Sequence, residues 1–135
     1  RISLAIQVVA ASHSTIPSLV FDEVDVGISG ATAEIVGQLL RKLGENGQVM
    51  TVTHLPQVAA QAHQHLHIEK HAKRDTTLTH MALLDERGRI SELARMLGGV
   101  TLSDQTLAHA REMLYASQRP PHRSTKRARP TPRPR

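Results

Sequence analysis

The order of apolar and polar residues predicts alternating helices and strands. Positions 2, 5, 6 and 9 are apolar at helical spacing, which predicts a largely buried helix over residues 1–11. The apolar run 19–21 does not alternate and predicts a strand covered on both faces. Residues 31–43 return to helical spacing, and 48–53 form a second apolar run. Strand, helix and strand at this spacing predict a βαβ unit with parallel strands.

The middle of the chain predicts a hairpin. Residues 63–70 and 77–84 are candidate strands, and the turn around Asp75 pairs them in antiparallel fashion at the edge of the sheet. Apolar side chains available for burial there are Leu66, Ile68, Leu78, Met81 and either Leu83 or Leu84. Two helices follow, a short one over 90–97 and a last one over 104–115 with Ser103 as its cap.

Two carboxylates end the first strand. Asp22 and Glu23 follow Phe21 directly, and a glycine-punctuated loop runs from 25 to 30. Neighbouring residues of an extended chain point to opposite sides, so one carboxylate can hold a cation while the other polarises water. Open α/β sheets bind ligands at the carboxyl ends of their strands. The alternative is that both acids are solvated residues at a strand end.

A histidine follows the second strand. Pro56 suits the first turn of a helix, so His54 lies on a strand-to-helix turn. If the strands are parallel, His54 lies at the same sheet edge as Asp22 and Glu23. A single histidine at a strand end is also commonly an ordinary polar residue with satisfied hydrogen bonds.

Composition narrows the classes of protein. The 135 residues include one Phe, one Tyr and no Trp, so we expect a core built from Leu, Ile, Val, Ala and Met. Cysteine is absent, which excludes disulfides and Cys-based zinc sites. No apolar run approaches the roughly 20 residues of a membrane span, so no membrane partner is expected.

The basic charge is concentrated at one end. Residues 117–135 hold seven Arg or Lys, no acid and five of the seven prolines, whereas 1–116 carry ten basic and twelve acidic residues. This predicts a folded unit over 1–116 and a disordered tail over 117–135. The tail would favour DNA or another polyanion without sequence specificity. The alternative is a solvated tail without a role.

Four segments, 1–5, 19–30, 48–59 and 92–99, together resemble the C-terminal end of the RecN family. These are bacterial ATPases of DNA double-strand-break repair and recombination, related to the structural-maintenance-of-chromosomes proteins. The resemblance covers about residues 1–116. It implies an α/β fold, the carboxyl lobe of an ABC-type (P-loop NTPase) ATPase head, with a mostly parallel sheet flanked by helices and an edge hairpin.

The resemblance implies roles for individual residues. Asp22 resembles the Walker B aspartate that assists Mg2+, commonly through water, and Glu23 the general base for the attacking water. His54 resembles the switch histidine that contacts the γ-phosphate. The loop over residues 25–30, which comes just after Glu23, resembles the D-loop of a dimer interface. Its binding residues are Asp25, Gly27, Ser29 and Gly30. A cation site, a base and a phosphate contact are the parts that water attack on a γ-phosphoryl group requires.

The same resemblance implies ATP and Mg2+ as cofactors and a cytoplasmic, nucleoid-associated protein. Its implied partners are DNA, a missing N-terminal lobe and a second copy that dimerises head-to-head around ATP. No Gly-x-x-x-x-Gly-Lys-Ser/Thr loop occurs in the chain, nor does the cassette signature. The 135 residues are therefore expected not to hydrolyse ATP alone.

Two other hypotheses remain open. One is a non-catalytic interaction or DNA-binding module that uses the basic tail. The other is a divalent metal site at His63, His65 and His67, which face one side if they lie on a strand. The alternative for this row is a solvated edge-strand face.

Overall fold

The described residues form four strands and four helices, which confirm most of the predicted elements. A computed structural model describes residues 17–22, 27–73, 76–98 and 102–118. The predicted helix over 1–11 and the tail beyond residue 118 lie outside these residues. The elements in chain order are β1 (Ser18–Phe21), α1 (Gly30–Leu43), β2 (Gln48–Thr51), α2 (Pro56–Gln61), β3 (Leu66–Lys73), β4 (Thr76–Leu83), α3 (Glu86–Gly98) and α4 (Asp104–Gln118).

Strands β1 and β2 pair in parallel, as the βαβ pattern predicts. Their register runs from Ser18 opposite Gln48 to Phe21 opposite Thr51. The pairing continues one step further, since the Val52 N–H donates to the Phe21 carbonyl at 3.0 Å. The α/β class is therefore confirmed, with helix α1 as the connection between the two strands.

The predicted hairpin forms, but it does not extend the parallel sheet. Strands β3 and β4 pair in antiparallel register from Leu66 opposite Leu83 onward. Among the described residues the two pairs are separate two-stranded sheets. A mostly parallel sheet with the hairpin on its edge is thus only partly supported, because the antiparallel ladder is the longer one.

A first core lies between α1 and one face of the β1–β2 sheet. Its buried side chains are Phe21, Ala33, Val36, Leu40, Leu43 and Val58. The opposite face is exposed within the described residues: Val20 is 69%, Met50 47% and Val52 55% exposed. The prediction of cover on both faces therefore holds for one face only. The apolar sequence of the strands suits a second layer that the described residues do not supply.

A second core joins the last three helices. Its buried side chains are Ala59, Ala60, Ile90, Leu93, Ala94, Ala110 and Leu114. Helix α2 contributes to both cores, because Val58 belongs to the first and Ala59 to the second. The short helix therefore connects the two halves of the structure.

The hairpin side chains expected to be buried are exposed. Ile68 and Met81 lie directly opposite each other and are 52% and 57% exposed. Leu66, Leu78 and Leu83 are also exposed. Alternation in a sequence tells which residues share a face but not whether another layer covers that face, and here the described residues leave it open.

Two helices differ from their predicted bounds. Helix α3 begins at Glu86 rather than at Ile90, because the Asp85 carboxylate accepts the Gly88 N–H at 2.7 Å and caps an extra turn. Helix α4 continues to Gln118, so two residues assigned to the tail are helical. Its predicted cap is confirmed, since the Ser103 hydroxyl accepts the Thr106 N–H at 3.1 Å. No helix in the described part of the chain is long and apolar enough to cross a membrane.

Candidate functional site

The carboxyl ends of β1 and β2 form the candidate site. Asp22 follows the last residue of β1 directly, and His54 follows the last residue of β2 by three positions. Because Phe21 and Thr51 are register partners in a parallel pair, both chains leave the sheet at the same edge. The side chains of Asp22 and His54 are both exposed. The geometry therefore brings a carboxylate and an imidazole to one accessible sheet edge.

The turn that carries His54 is held by local bonds. The Thr53 hydroxyl accepts the Leu55 N–H at 3.0 Å, which closes a tight turn across His54. Leu55 is in extended conformation at the N-cap, and Pro56 occupies the first turn of α2 as predicted. The strand-to-helix transition is thus specified by the sequence Thr53 to Pro56.

The loop after β1 is described in part. Glu23 and Asp25 lie outside the described residues, so their predicted roles stay predictions. Gly27 and Gly30 have φ angles of +73° and +54°, in the left-handed region where glycine is favoured. A Cβ at either position would meet no atom within 4 Å, so conformation rather than crowding explains the glycines. Ser29 lies at the N-cap of α1 but makes no side-chain cap hydrogen bond.

The predicted row of metal ligands does not form on one strand. Strand β3 begins at Leu66, so His63 and His65 precede it. His67 instead lies between two carboxylates, with Nε2 3.2 Å from Glu69 and Nδ1 3.4 Å from Glu92. In the described ranges no group of three His, Cys, Asp or Glu side chains is arranged to hold a metal ion.

The same cluster has a defined electrostatic balance. Two hydrogen bonds from Arg95, at 2.6 and 2.9 Å, lower the pKa of Glu92 below its ordinary value, with His67 and His65 adding to the effect. Burial lowers the pKa of His65, and the nearby Arg89 lowers it further. The cluster therefore favours an ionised Glu92 and a neutral His65. Its contact between the hairpin and α3 is the pairing of His67 with Glu92, not a set of three metal ligands.

Sequence reasoning missed two buried or half-buried arginines beside α2. Arg89 is only 9% exposed, and it donates hydrogen bonds to backbone carbonyls at the end of that helix. Arg41 does the same from α1. No local sequence pattern predicts these arginine–carbonyl hydrogen bonds, because each arginine is at least 20 residues away from its acceptor.

These features define an α/β protein with a carboxylate and a histidine at one edge of a parallel strand pair. No protein-family model matches the chain. It is 57% identical over 117 residues to DNA repair protein RecN of Vibrio cholerae, covering 87% of this chain and 21% of that protein. It is 54% identical over 114 residues to RecN of Haemophilus influenzae, covering 84% and 20%. For RecN of Bacillus subtilis the identity is 40% over 114 residues, with the same coverage.

In the segment that it spans, the chain is therefore similar to the RecN proteins of these bacteria. The chain spans about one fifth of the length of these curated relatives.

Proposed function

We propose that this chain is the carboxyl part of the ATP-hydrolysing head of a RecN-like protein that acts in DNA double-strand-break repair and recombination. The observation that carries the proposal is the parallel register of β1 and β2. It leads Asp22 and His54 out of the sheet at one edge. The names of the relatives, all DNA repair protein RecN, support the biological setting.

The residues present suit ATP and Mg2+ as cofactors. A carboxylate oxygen is a ligand that Mg2+ accepts, and Mg2+ usually keeps several waters besides one or two protein carboxylates. The exposed Asp22 at a strand end fits such a contact made through water. When bound, the cation would neutralise charge on the phosphates.

The chain's own residues supply the general base, a hydrogen-bond donor to the phosphoryl group and the loop at the dimer interface. Glu23 accepts the proton of the attacking water, as a general base. His54, on its turn before α2, donates a hydrogen bond to an oxygen of the transferred phosphoryl group. Gly27, Ser29 and Gly30, together with Asp25, form a loop that faces a second copy of the head across the bound nucleotide.

The exposed apolar surfaces support the proposal that this lobe works with further protein. Val20, Met50 and Val52 form an apolar row on one face of the parallel pair and remain exposed within the described residues. Such a face is normally buried in α/β proteins. The chain spans about one fifth of the length of its relatives. We propose that an N-terminal lobe from the remaining part covers this apolar face and supplies the phosphate-binding loop. The chain alone should therefore be inactive.

The test is a substitution in the full-length protein that contains this segment. Glu23→Gln removes the base but keeps the shape of the side chain, so ATP turnover should fall by about 100-fold or more while ATP binding remains. ATP should then trap a head-to-head dimer, detected by sedimentation velocity. Glu45→Gln, at an exposed glutamate in the turn after α1, is the matched control and should leave turnover unchanged.

Two results would contradict this proposal. One is full-length Glu23→Gln protein that hydrolyses ATP at the unsubstituted rate. The other is Mg2+-dependent ATP turnover by the purified 135-residue chain that Glu23→Gln abolishes, because this would show that the lobe needs no separate nucleotide cradle.

A second candidate function is a non-catalytic module that binds DNA through its basic end. The charge distribution favours it, since seven basic residues and no acid follow residue 118. A DNA partner also fits a cytoplasmic, nucleoid-associated protein. Deleting 119–135, which keeps α4 intact, should then abolish salt-sensitive DNA binding, while Glu23→Gln leaves it unchanged. DNA binding that survives the deletion would exclude this function for the tail.

A further inference from the structure

Four consecutive backbone carbonyls at the carbonyl end of α2 accept hydrogen bonds from side chains: those of its last two residues, 60 and 61, and those of residues 62 and 63, which follow it directly. Arg89 of α3 reaches three of these carbonyls: Ala60 at 3.5 Å, Ala62 at 2.7 Å and His63 at 3.3 Å. Arg89 is buried, so these carbonyls replace water around its two terminal nitrogens, whereas its buried Nε has no hydrogen-bond partner among the described residues.

The remaining carbonyl is bonded from another helix. Arg41 of α1 donates to the Gln61 carbonyl at 2.6 Å. Ser117 of α4 also lies at this end, with its hydroxyl 2.8 Å from the Ala60 carbonyl and 2.6 Å from that of Leu114. Side chains from three helices therefore converge on one helix end.

A helix of six residues is not stable by itself. The carbonyls of its last four residues, 58–61, have no partner inside the helix, although that of Ala59 accepts the cap Ala62 N–H at 3.3 Å. Isolated helices need about 12–15 residues to be even marginally stable. Two guanidinium groups satisfy this end and complement its partial negative charge. Burial, followed by the nearby Arg41, lowers the pKa of Arg89, so two like charges are held together against their repulsion. The carbonyl end of α2 provides the compensation.

Bonds at the carbonyl end of α2 also restrict the position of its amino end, which follows His54. Helix α2 begins at Pro56, two residues after His54, and the Thr53–Leu55 turn connects the two without slack. The six-residue helix is only about 9 Å long, so a displacement at its carbonyl end is transmitted to its first turn.

We propose that Arg41 and Arg89 are positioning residues for His54. They fix α2 by its carbonyls and so hold the histidine turn at the edge where Asp22 leaves β1. This inference rests on the proposed role of His54 in ATP hydrolysis. It adds that the role requires two arginines that contact neither substrate nor cofactor.

The experiment uses the full-length protein that contains this segment, with steady-state ATP hydrolysis as the assay. Arg89→Met removes every donor and retains most of the side-chain length. It should lower kcat by about 10-fold or more, because displacing a reacting group by about 1 Å can cost up to about 100-fold. Arg87→Met, at an exposed arginine on the same helix, is the matched control and should leave kcat within about 2-fold.

A double variant separates positioning from general damage. His54→Gln gives a reference loss of kcat, and adding Arg89→Met to it should cause no more than about 2-fold further loss, because Arg89 acts only through His54. Arg89→Lys keeps one cationic donor group and should restore part of the rate. Losses that multiply in the double variant would assign Arg89 a merely structural role and overturn the proposal.

Arg41→Met provides a second route if Arg89→Met does not fold, since Arg41 is only partly buried. It should also lower kcat, and again without further effect in the His54→Gln background. Wild-type turnover by both arginine variants, alongside an impaired His54→Gln, would refute positioning and leave the proposed function intact. Wild-type turnover by His54→Gln itself would refute the role of His54 in the proposed function, and this inference with it.

Discussion

The close approach of α1 and α2 at Gly37 permits a direct test of the packing that carries His54. A Cβ added at Gly37 would lie 2.7 Å from Cγ and 3.1 Å from Cβ of Gln61, and 3.2 Å from the Gln57 carbonyl oxygen. Gln61 is only 5% exposed, so its side chain has little room to move away. Gly37→Ala should therefore push the two helices apart.

Two opposing effects determine the size of this change. Replacing glycine by alanine inside a helix stabilises it by about 1 kcal/mol. Overpacking a filled contact costs about 1–3 kcal/mol. A Cβ added at Gly37 would make contacts shorter than ordinary van der Waals distance, and one of them is to backbone. The cost of overpacking should therefore exceed the gain from replacing glycine. We expect a net loss of about 1 kcal/mol in the free energy of unfolding.

Urea unfolding of the chain, followed by circular dichroism, measures the difference. The neighbouring exposed position supplies the control, because Gln38→Ala should be about 1 kcal/mol more stable than Gln38→Gly. Both control variants lack the Gln38–Glu34 hydrogen bond, so its loss cancels in the comparison. If Gly37→Ala were stabilised by as much as that control difference, the two helices would not be in close contact and the reasoning would fail.

Two further predictions concern stability. Ser103→Ala removes the cap on the Thr106 N–H and should cost about 1 kcal/mol in urea unfolding, whereas Ser91→Ala, at an exposed site on α3, should cost little; equal losses would contradict the cap. Burial lowers the pKa of His65 from its ordinary 6.5, so its contribution is present above that pH and is lost as pH falls through the folded-state pKa. His65→Gln should reduce the loss of stability on acidification below pH 6.5, while the exposed His109→Gln should not, and an unchanged pH dependence in His65→Gln would contradict the assignment.

Local chemistry explains which elements the sequence predicts well. The predicted start of α1 differs from the observed one by a single residue, because the helical spacing of its apolar residues marks it even though Ser29 makes no side-chain cap hydrogen bond. Pro56 and Ser103 mark helix starts for reasons that act within one turn. Parallel pairing of β1 and β2 follows from the length of the connection between them. Each of these signals lies within a few residues of the structure it specifies.

The failures share a different cause. Helix α3 starts earlier than predicted because the Asp85 carboxylate caps it. The sequence does not indicate this start, since Gly88 after Arg87 disfavours a helix interior. Exposure of Ile68 and Met81 depends on whether a further layer exists, which alternation alone does not determine. The contacts of Arg89 with the carbonyl end of α2 are long-range. Predictions at Glu23 and Asp25 remain predictions, since the described residues do not include them.

The position of α2 connects the packing of the lobe to its candidate chemistry. Val58 packs into the first core and Ala59 and Ala60 into the second, so the helix is the only described element whose buried side chains belong to both. Its amino end follows His54, and its carbonyl end is held by Arg89. We therefore expect a change in either core or at the α4 end to reach the sheet edge through this short helix. If ATP hydrolysis takes place at that edge, its rate should respond to substitutions far from the nucleotide wherever they move α2, and remain insensitive to equally destabilising ones on the hairpin, whose strands do not touch it through either core.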